Sequence, residues 1–314
     1  MSKKNIILFI LLVAALVFFI VLTLFFITDI NAPSVIESSM STPEPQVKNV
    51  YYIANSLSQA EEYAYTTDLR HKFMKNANIE FYILNSEGLT TTQVSNIKAA
   101  QEHADLIIIN PLLGDDVSKS IQESSVPILV LDVQDATDTT VYFSDKRSAQ
   151  LMIQYISATL YYDSNICIVT NTLTDSLYLQ MLNRVNSTSQ KYNRLHVLAS
   201  YPTHNLPISD IKTKMPRLLE AQSVLILDEL NAQLIVDYLV ANNYEGSIEM
   251  VSSNPKMISY IQAGNLDALV FKNPQIYADS ILAASLSMLQ SNNISSTECY
   301  QHLINIYNLN EYLN

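Results

Sequence analysis

The sequence predicts an α/β fold: two lobes with parallel sheets, preceded by one N-terminal transmembrane helix. Three observations predict it. Ile6 to Ile27 is an almost unbroken apolar run. From Val50 onward, short apolar runs alternate with helix-length segments. Two of these runs, Leu106–Ile109 and Ile128–Leu131, end directly in polar residues, Asn110 and Asp132. Continuous apolar strands separated by amphipathic helices are the mark of a parallel sheet covered on both faces. In such sheets ligands bind beyond the carboxyl ends of the strands, where Asn110 and Asp132 stand.

Taking the elements in order, residues 1–4 form a short N-terminus with Lys3 and Lys4, and residues 5–28 form the anchor. At about 1.5 Å per residue the apolar run crosses a ~30 Å hydrocarbon core. The lysines keep the short N-terminal side cytoplasmic and place the rest outside. A cleaved signal peptide is the alternative, but its apolar region is usually about 7–15 residues long and ends in small residues. Here the run is longer and leads into Thr28-Asp29-Ile30-Asn31-Ala32-Pro33. No cysteine near its end offers a site for a lipid anchor. Residues 29–48, rich in Pro, Ser and Glu, read as an extended tether.

Val50–Ala54 and Glu80–Leu84 are then the first two strands, with helices near Gln59–Lys75 and Gln93–Glu102. A helix containing Val117 and Ile121 joins Leu106–Ile109 to Ile128–Leu131, and Pro127 marks the start of the latter. After Phe143 a helix spans Arg147–Leu160, with Leu151, Tyr155 and Ala158 on one stripe. A second α/β unit follows, with strands at Ile166–Val169, Leu195–Ser200, Val224–Leu227, Ile248–Val251 and Leu269–Phe271. Its helices are expected near Ser176–Thr188, Ile208–Glu220, Ala232–Asn242, Lys256–Ala263 and Gln275–Gln290.

Composition removes several functions. A formal charge of −12 argues against nucleic acid, which needs concentrated Lys and Arg. The four glycines, Gly88, Gly114, Gly246 and Gly264, are scattered. No phosphate-cradling loop, dinucleotide fingerprint or serine nucleophile elbow can be written without clustered glycines. The five histidines and two cysteines show no metal-ligand spacing, so neither a metal nor a cofactor is expected. Cys167, inside an apolar strand, reads as a buried inert thiol. No nucleophile–base pair can be assembled, and the chain is not expected to be an enzyme.

The phrases Ile107-Ile108-Ile109-Asn110-Pro111, Val126-Pro127-Ile128-Leu129-Val130-Leu131-Asp132, Phe143-Ser144-Asp145 and Ala268-Leu269-Val270-Phe271-Lys272-Asn273-Pro274 resemble the type 1 periplasmic-binding-protein family. The likeness is to its ribose- and galactose-binding branch and runs from about Val47 to about Asn292. The resemblance implies two Rossmann-like lobes joined by a three-segment hinge, within a domain of residues 49–314. The first lobe would hold about 49–144 and 273–295, and the second about 145–272 and the C-terminal tail. It places Asp132 on a sugar-binding aspartate and Tyr63 on an aromatic that stacks on a sugar face. Glu62 stands where a second aromatic is usual. The usual arginine of the second lobe is missing from Ser176–Leu182, leaving Tyr178 or Gln180. Asp228 and Glu229 match an acidic spot, the usual aspartate after Ile248–Val251 appears as Ser252, Ser253 or Asn254, and Lys272 stands where a hinge glutamine is typical.

Each residue has a plainer reading. Asp132 can cap a loop, Tyr63 can pack at a surface, Asn110-Pro111 can be a turn, and Glu62 can favour a helix start. The expected protein binds a small sugar-like solute outside the cell membrane, held there by its single helix. Its partner would be an ABC permease, for import, or a membrane sensor kinase, for signalling. The alternative is a degenerate binding-protein scaffold that mediates protein contacts without a small ligand.

Overall fold

In the computed structural model the described residues are 47–57, 60–76, 78–133, 139–160, 162–192, 194–204, 210–290 and 295–313. The expected anchor and nearly all of the tether lie outside them. Among the described residues no helix is long and apolar enough to cross a membrane.

The apolar runs become the strands of two six-stranded sheets. In the first, β1 (Lys48–Ala54), β2 (Ile79–Asn85), β3 (Leu106–Ile109), β4 (Ile128–Leu131), β5 (Thr140–Phe143) and β11 (Thr297–Cys299) lie in the order β11-β5-β4-β3-β1-β2. All of its neighbours are parallel. The second holds β6 (Ser164–Thr170), β7 (Leu195–Pro202), β8 (Ser223–Ile226), β9 (Ser247–Ser252), β10 (Ala268–Phe271) and β12 (His302–Asn305), in the order β12-β10-β9-β8-β6-β7. There only β12 is antiparallel to its neighbour.

Side chains alternate across each strand, so both faces of each sheet must be covered. On the first sheet, Val50, Tyr52, Leu106, Ile108, Leu129 and Leu131 pack with α1 (Ala60–Met74) and α9 (Pro274–Leu289). Ile53, Ile107, Ile109 and Val130 face the other way, against α2 (Thr90–Gln101) and α3 (Asp115–Gln122). On the second sheet, Ile166, Ile168, Leu225 and Val270 meet α4 (Asp145–Thr159) and α5 (Ser176–Tyr192). Val169, Val224, Ile226 and Met250 meet α6 (Ile211–Lys214), α7 (Ala232–Ala241) and α8 (Met257–Gln262). Complete burial of each Ile or Leu contributes about 1.5–3 kcal/mol.

Two expectations change. The single helix expected over Ile208–Glu220 is α6 followed by a 3-10 turn, Leu218–Glu220. Pro216 lies between them, and proline cannot supply the N–H a continuing helix needs. The first lobe also extends past residue 295, because β11 joins its sheet. A three-residue strand is too short to show a period.

The chain passes between the sheets three times: at Ser144, at Lys272–Asn273, and at Tyr300–Gln301. These crossings are stitched together by polar side chains. Gln301, buried, donates from Nε2 to the Ser144 carbonyl at 2.9 Å and accepts from the Ser148 hydroxyl at 2.6 Å. Lys272 Nζ lies 3.3 Å from Asp145 Oδ1. The Arg147 guanidinium sits over the Tyr300 ring at 5.7 Å.

Candidate ligand-binding site

The polar groups nearest the first two crossings gather at the carboxyl end of the first sheet. Asp132 follows β4 directly, and its backbone takes φ +54°. That left-handed conformation is uncommon for residues other than glycine, although Asp and Asn tolerate it best. The Asp132 N–H donates to the Val141 carbonyl at 3.0 Å, which fixes the residue where β4 runs beside β5. Its residue surface is open to solvent, yet its carboxyl is recessed among dense protein. Burial raises the carboxyl pKa, and the Asp145 charge adds to that rise. The Tyr277 hydroxyl, the Lys272 ammonium and the Phe143 N–H act against it.

Tyr277 is placed by the start of α9. Asn273 caps that helix by accepting from Gln275 N–H at 2.9 Å, and Pro274 occupies its first turn, where no N–H is needed. The Tyr277 ring is buried, stacked on Phe143 at 5.1 Å and edge-on to Tyr65 at 5.6 Å. Burial, and after it the Asp132 charge, push its phenol well above the ordinary range, so the hydroxyl keeps its proton, facing the Asp132 carboxyl and the Val141 carbonyl, the latter 3.5 Å away. Tyr65 extends the network: its hydroxyl lies 3.0 Å from that of Tyr52 and accepts from Asn110 Nδ2 at 3.2 Å. Asn110 is held in turn by the buried Gln93, which donates to its carbonyl at 2.9 Å and accepts from Leu112 N–H at 2.7 Å.

The structure therefore brings Asp132 and Lys272 together, with Tyr277 and Asp145. It places the other expected residues elsewhere. Glu62 and Tyr63 fall in α1, and their side chains lie outside the described residues. Tyr178 is buried in the core between α4, α5 and the second sheet, its hydroxyl donating to Ser200 Oγ at 3.1 Å. Asp228 is buried and accepts from Thr203 Oγ1 at 2.5 Å, Asn231 Nδ2 at 2.6 Å and Leu230 N–H at 3.0 Å. Asn254 Oδ1 accepts from Lys256 N–H at 3.0 Å in the turn before α8. Tyr277, Tyr65 and Gln301 were not among the expected residues. Asn273-Pro274, a cap followed by proline, was the one local signal that a helix begins beside Lys272.

Two parallel-sheet lobes with a polar cluster at strand ends and three chain crossings define a bilobal solute-binding architecture. The chain belongs to the family described as the periplasmic binding protein domain, whose profile matches residues 52–293. Solved structures share the fold at low identity. A Caulobacter myo-inositol binding protein bound to myo-inositol is 16% identical with a TM-score of 0.73, over 84% of this chain and 95% of its own. An ABC transporter solute binding protein from Bacillus halodurans with bound myo-inositol is 17% identical with a TM-score of 0.72, over 86% and 99%. One from Burkholderia graminis in complex with D-arabinose is 12% identical with a TM-score of 0.74, over 86% and 99%. No curated protein matches the sequence.

Proposed function

We propose that this protein is an extracytoplasmic solute-binding protein that takes a small polyhydroxylated ligand, a sugar or a cyclic polyol, against Asp132. The observation that carries this reading is Asp132 itself: an exposed residue in a left-handed backbone, with Tyr277 and Lys272 holding its carboxyl from the protein side. A carboxylate held this way can accept from two neighbouring ligand hydroxyls by charge-assisted hydrogen bonds. The similar structures that hold myo-inositol and D-arabinose support a ligand of this class. Tyr63 supplies a stacking face and Glu62 a further acceptor in this reading. Tyr178 and Asp228 keep structural roles, because their polar atoms are already engaged.

Ligand binding closes the lobes about the three crossings, and a membrane partner reads the closed state. That partner is an ABC permease, with a sensor kinase the alternative, and residues 5–28 anchor the chain beside it. A second reading has its own observation. Asp228, Glu229 and Asn254 of the second lobe are all engaged internally, as they would be in a scaffold that has given up its small ligand. The full chain in detergent, melted against a panel of polyols and sugars, separates the two. A ligand at a hundredfold its dissociation constant adds about 2.7 kcal/mol. No shift with any compound favours the scaffold.

A further inference from the structure

Away from the strand ends, α4 and α5 lie side by side on one face of the second sheet, sharing a core of Met152, Ile153, Met181 and Val185. Above that core their outer residues line a groove of about 410 Å³, where Gln150, Gln154, Ser157, Arg184, Thr188 and Arg194 stand beside the apolar Ile153 and Ala158. The first three recur at helical spacing on one face of α4, Arg184 and Thr188 are one turn apart on α5, and Arg194 precedes β7. All six offer hydrogen-bond donors and none is a carboxylate. Arg184 is half-buried. Among the described residues neither Arg184 nor Arg194 has a carboxylate partner. The Ser157 hydroxyl is buried without a hydrogen-bond partner, which a native structure rarely leaves without purpose.

The sequence strengthens the case. In a chain with 30 acidic residues, residues 146–162 and 176–209 contain none. The two helices are thus nearly free of the negative charge that dominates the rest of the surface, and the groove collects positive potential.

The geometry points to a second binding site in this groove, for a phosphate-type oxyanion, separate from the site at Asp132. The guanidinium forks of Arg184 and Arg194 match the oxygens of a tetrahedral anion. The Ser157 O–H donates to a further oxygen, and the two glutamine carboxamides and Thr188 complete the rim.

The test is a melting series of the full chain in detergent with sodium phosphate, against sodium chloride at matched ionic strength. The expected result is a saturable rise with phosphate alone, lost in the Arg184→Gln/Arg194→Gln variant and kept in Asp132→Asn. Ser157→Ala should raise the half-saturating phosphate concentration several-fold. Equal shifts with chloride, or a double variant that responds like the parent, overturn the proposal. If the double variant does not fold, Arg194→Gln alone decides: the residue is exposed, and an unchanged half-saturating concentration overturns the site. A second arm uses glycerol phosphate. Tighter binding than free phosphate assigns the groove to an organic phosphate, and equal or weaker binding assigns it to the inorganic ion.

Discussion

The two lobes are built on one plan but treat the carboxylates beside their strands in opposite ways. In the first lobe Asp132 is an exposed residue whose carboxyl faces Tyr277, Lys272 and the Phe143 N–H. In the second lobe Asp228 is buried under three donors, and Glu229 accepts from both the backbone and the hydroxyl of Ser253. Glu249 lies fully buried on β9. Position after a strand says where a carboxylate stands. The exposure of the residue says whether it is open to a ligand: Asp132 is exposed and Asp228 is buried. On that measure the first lobe leaves its aspartate open for the proposed ligand, while the second uses its acids for its own structure.

The largest effect expected from this contrast belongs to Glu249. Its carboxyl accepts from Ser223 Oγ at 2.7 Å, while Oε1 has no partner. Burial first, with the Asp267 charge adding, pushes its pKa from 4.5 up to about 8, against hydrogen bonds from Ser247 and Ser223. Tyr155 and Tyr244, whose own pKa values its charge raises, stand near it. A carboxyl raised on folding favours the folded state only while protonated. Its contribution is whole below about pH 4.5 and is lost as the pH rises through about 8, a total of roughly 5 kcal/mol. Melting temperature should therefore fall from pH 5 to pH 9, and Glu249→Gln should flatten that fall. A parent profile that is level or rising across this range would overturn the assignment of a protonated, buried Glu249.

Asp228→Ala comes next. It removes the acceptor of the Asn231 amide and the Leu230 N–H, leaves the Thr203 hydroxyl only the Thr170 carbonyl, and should cost about 3 kcal/mol in urea unfolding. A loss below about 1 kcal/mol would mean that Asp228 is no more structural than Asp132, and the contrast between the lobes would collapse. Lys272→Met is smaller. It removes the ammonium between Asp132 and Asp145, leaves two carboxylates facing each other, and should cost about 1–2 kcal/mol, between exposed and buried pairs. Combining it with Asp145→Asn should restore part of that loss. Simple additivity would show that the pair does not couple the first two crossings.

Much of the fold was legible because continuous apolar runs such as Leu106–Ile109 and Ile128–Leu131 announce buried parallel strands. The short β11 and β12, and the break at Pro216, were not, since Thr297–Cys299 and His302–Asn305 mix polar and apolar residues without a continuous apolar run and a proline's effect depends on its neighbours. The site was legible only in part. Asp132 and Lys272 were marked by their places after strands, but nothing local separates Tyr277 or Tyr65 from the other tyrosines among nineteen. Their role comes from α1 and α9 meeting over the first sheet, a contact between segments some two hundred residues apart. Nor does sequence distinguish Asp132 from Asp228, because the donors on Asp228 include Thr203, distant along the chain.

The smallest effect on stability should be the most informative. Asp132→Asn keeps the shape and a residue that tolerates φ +54°, whereas Asp132→Ala adds backbone strain of about 1 kcal/mol in the left-handed region. Asparagine also removes a carboxyl that burial disfavours in its charged form. The Asn variant should thus unfold within about 1 kcal/mol of the parent yet lose the melting shift that a polyol produces, because a neutral carboxamide accepts ligand hydroxyls through one oxygen and without charge assistance. The Ala variant should lose the same shift and be somewhat less stable. A polyol response that survives in the Asn variant would place the ligand elsewhere and free Asp132 for a purely conformational role at the end of β4. A response lost only in the Ala variant would assign the effect to backbone geometry. Loss in both, with Asp228→Ala weakening the fold, would establish that one lobe binds through its carboxylate while the other folds through its own.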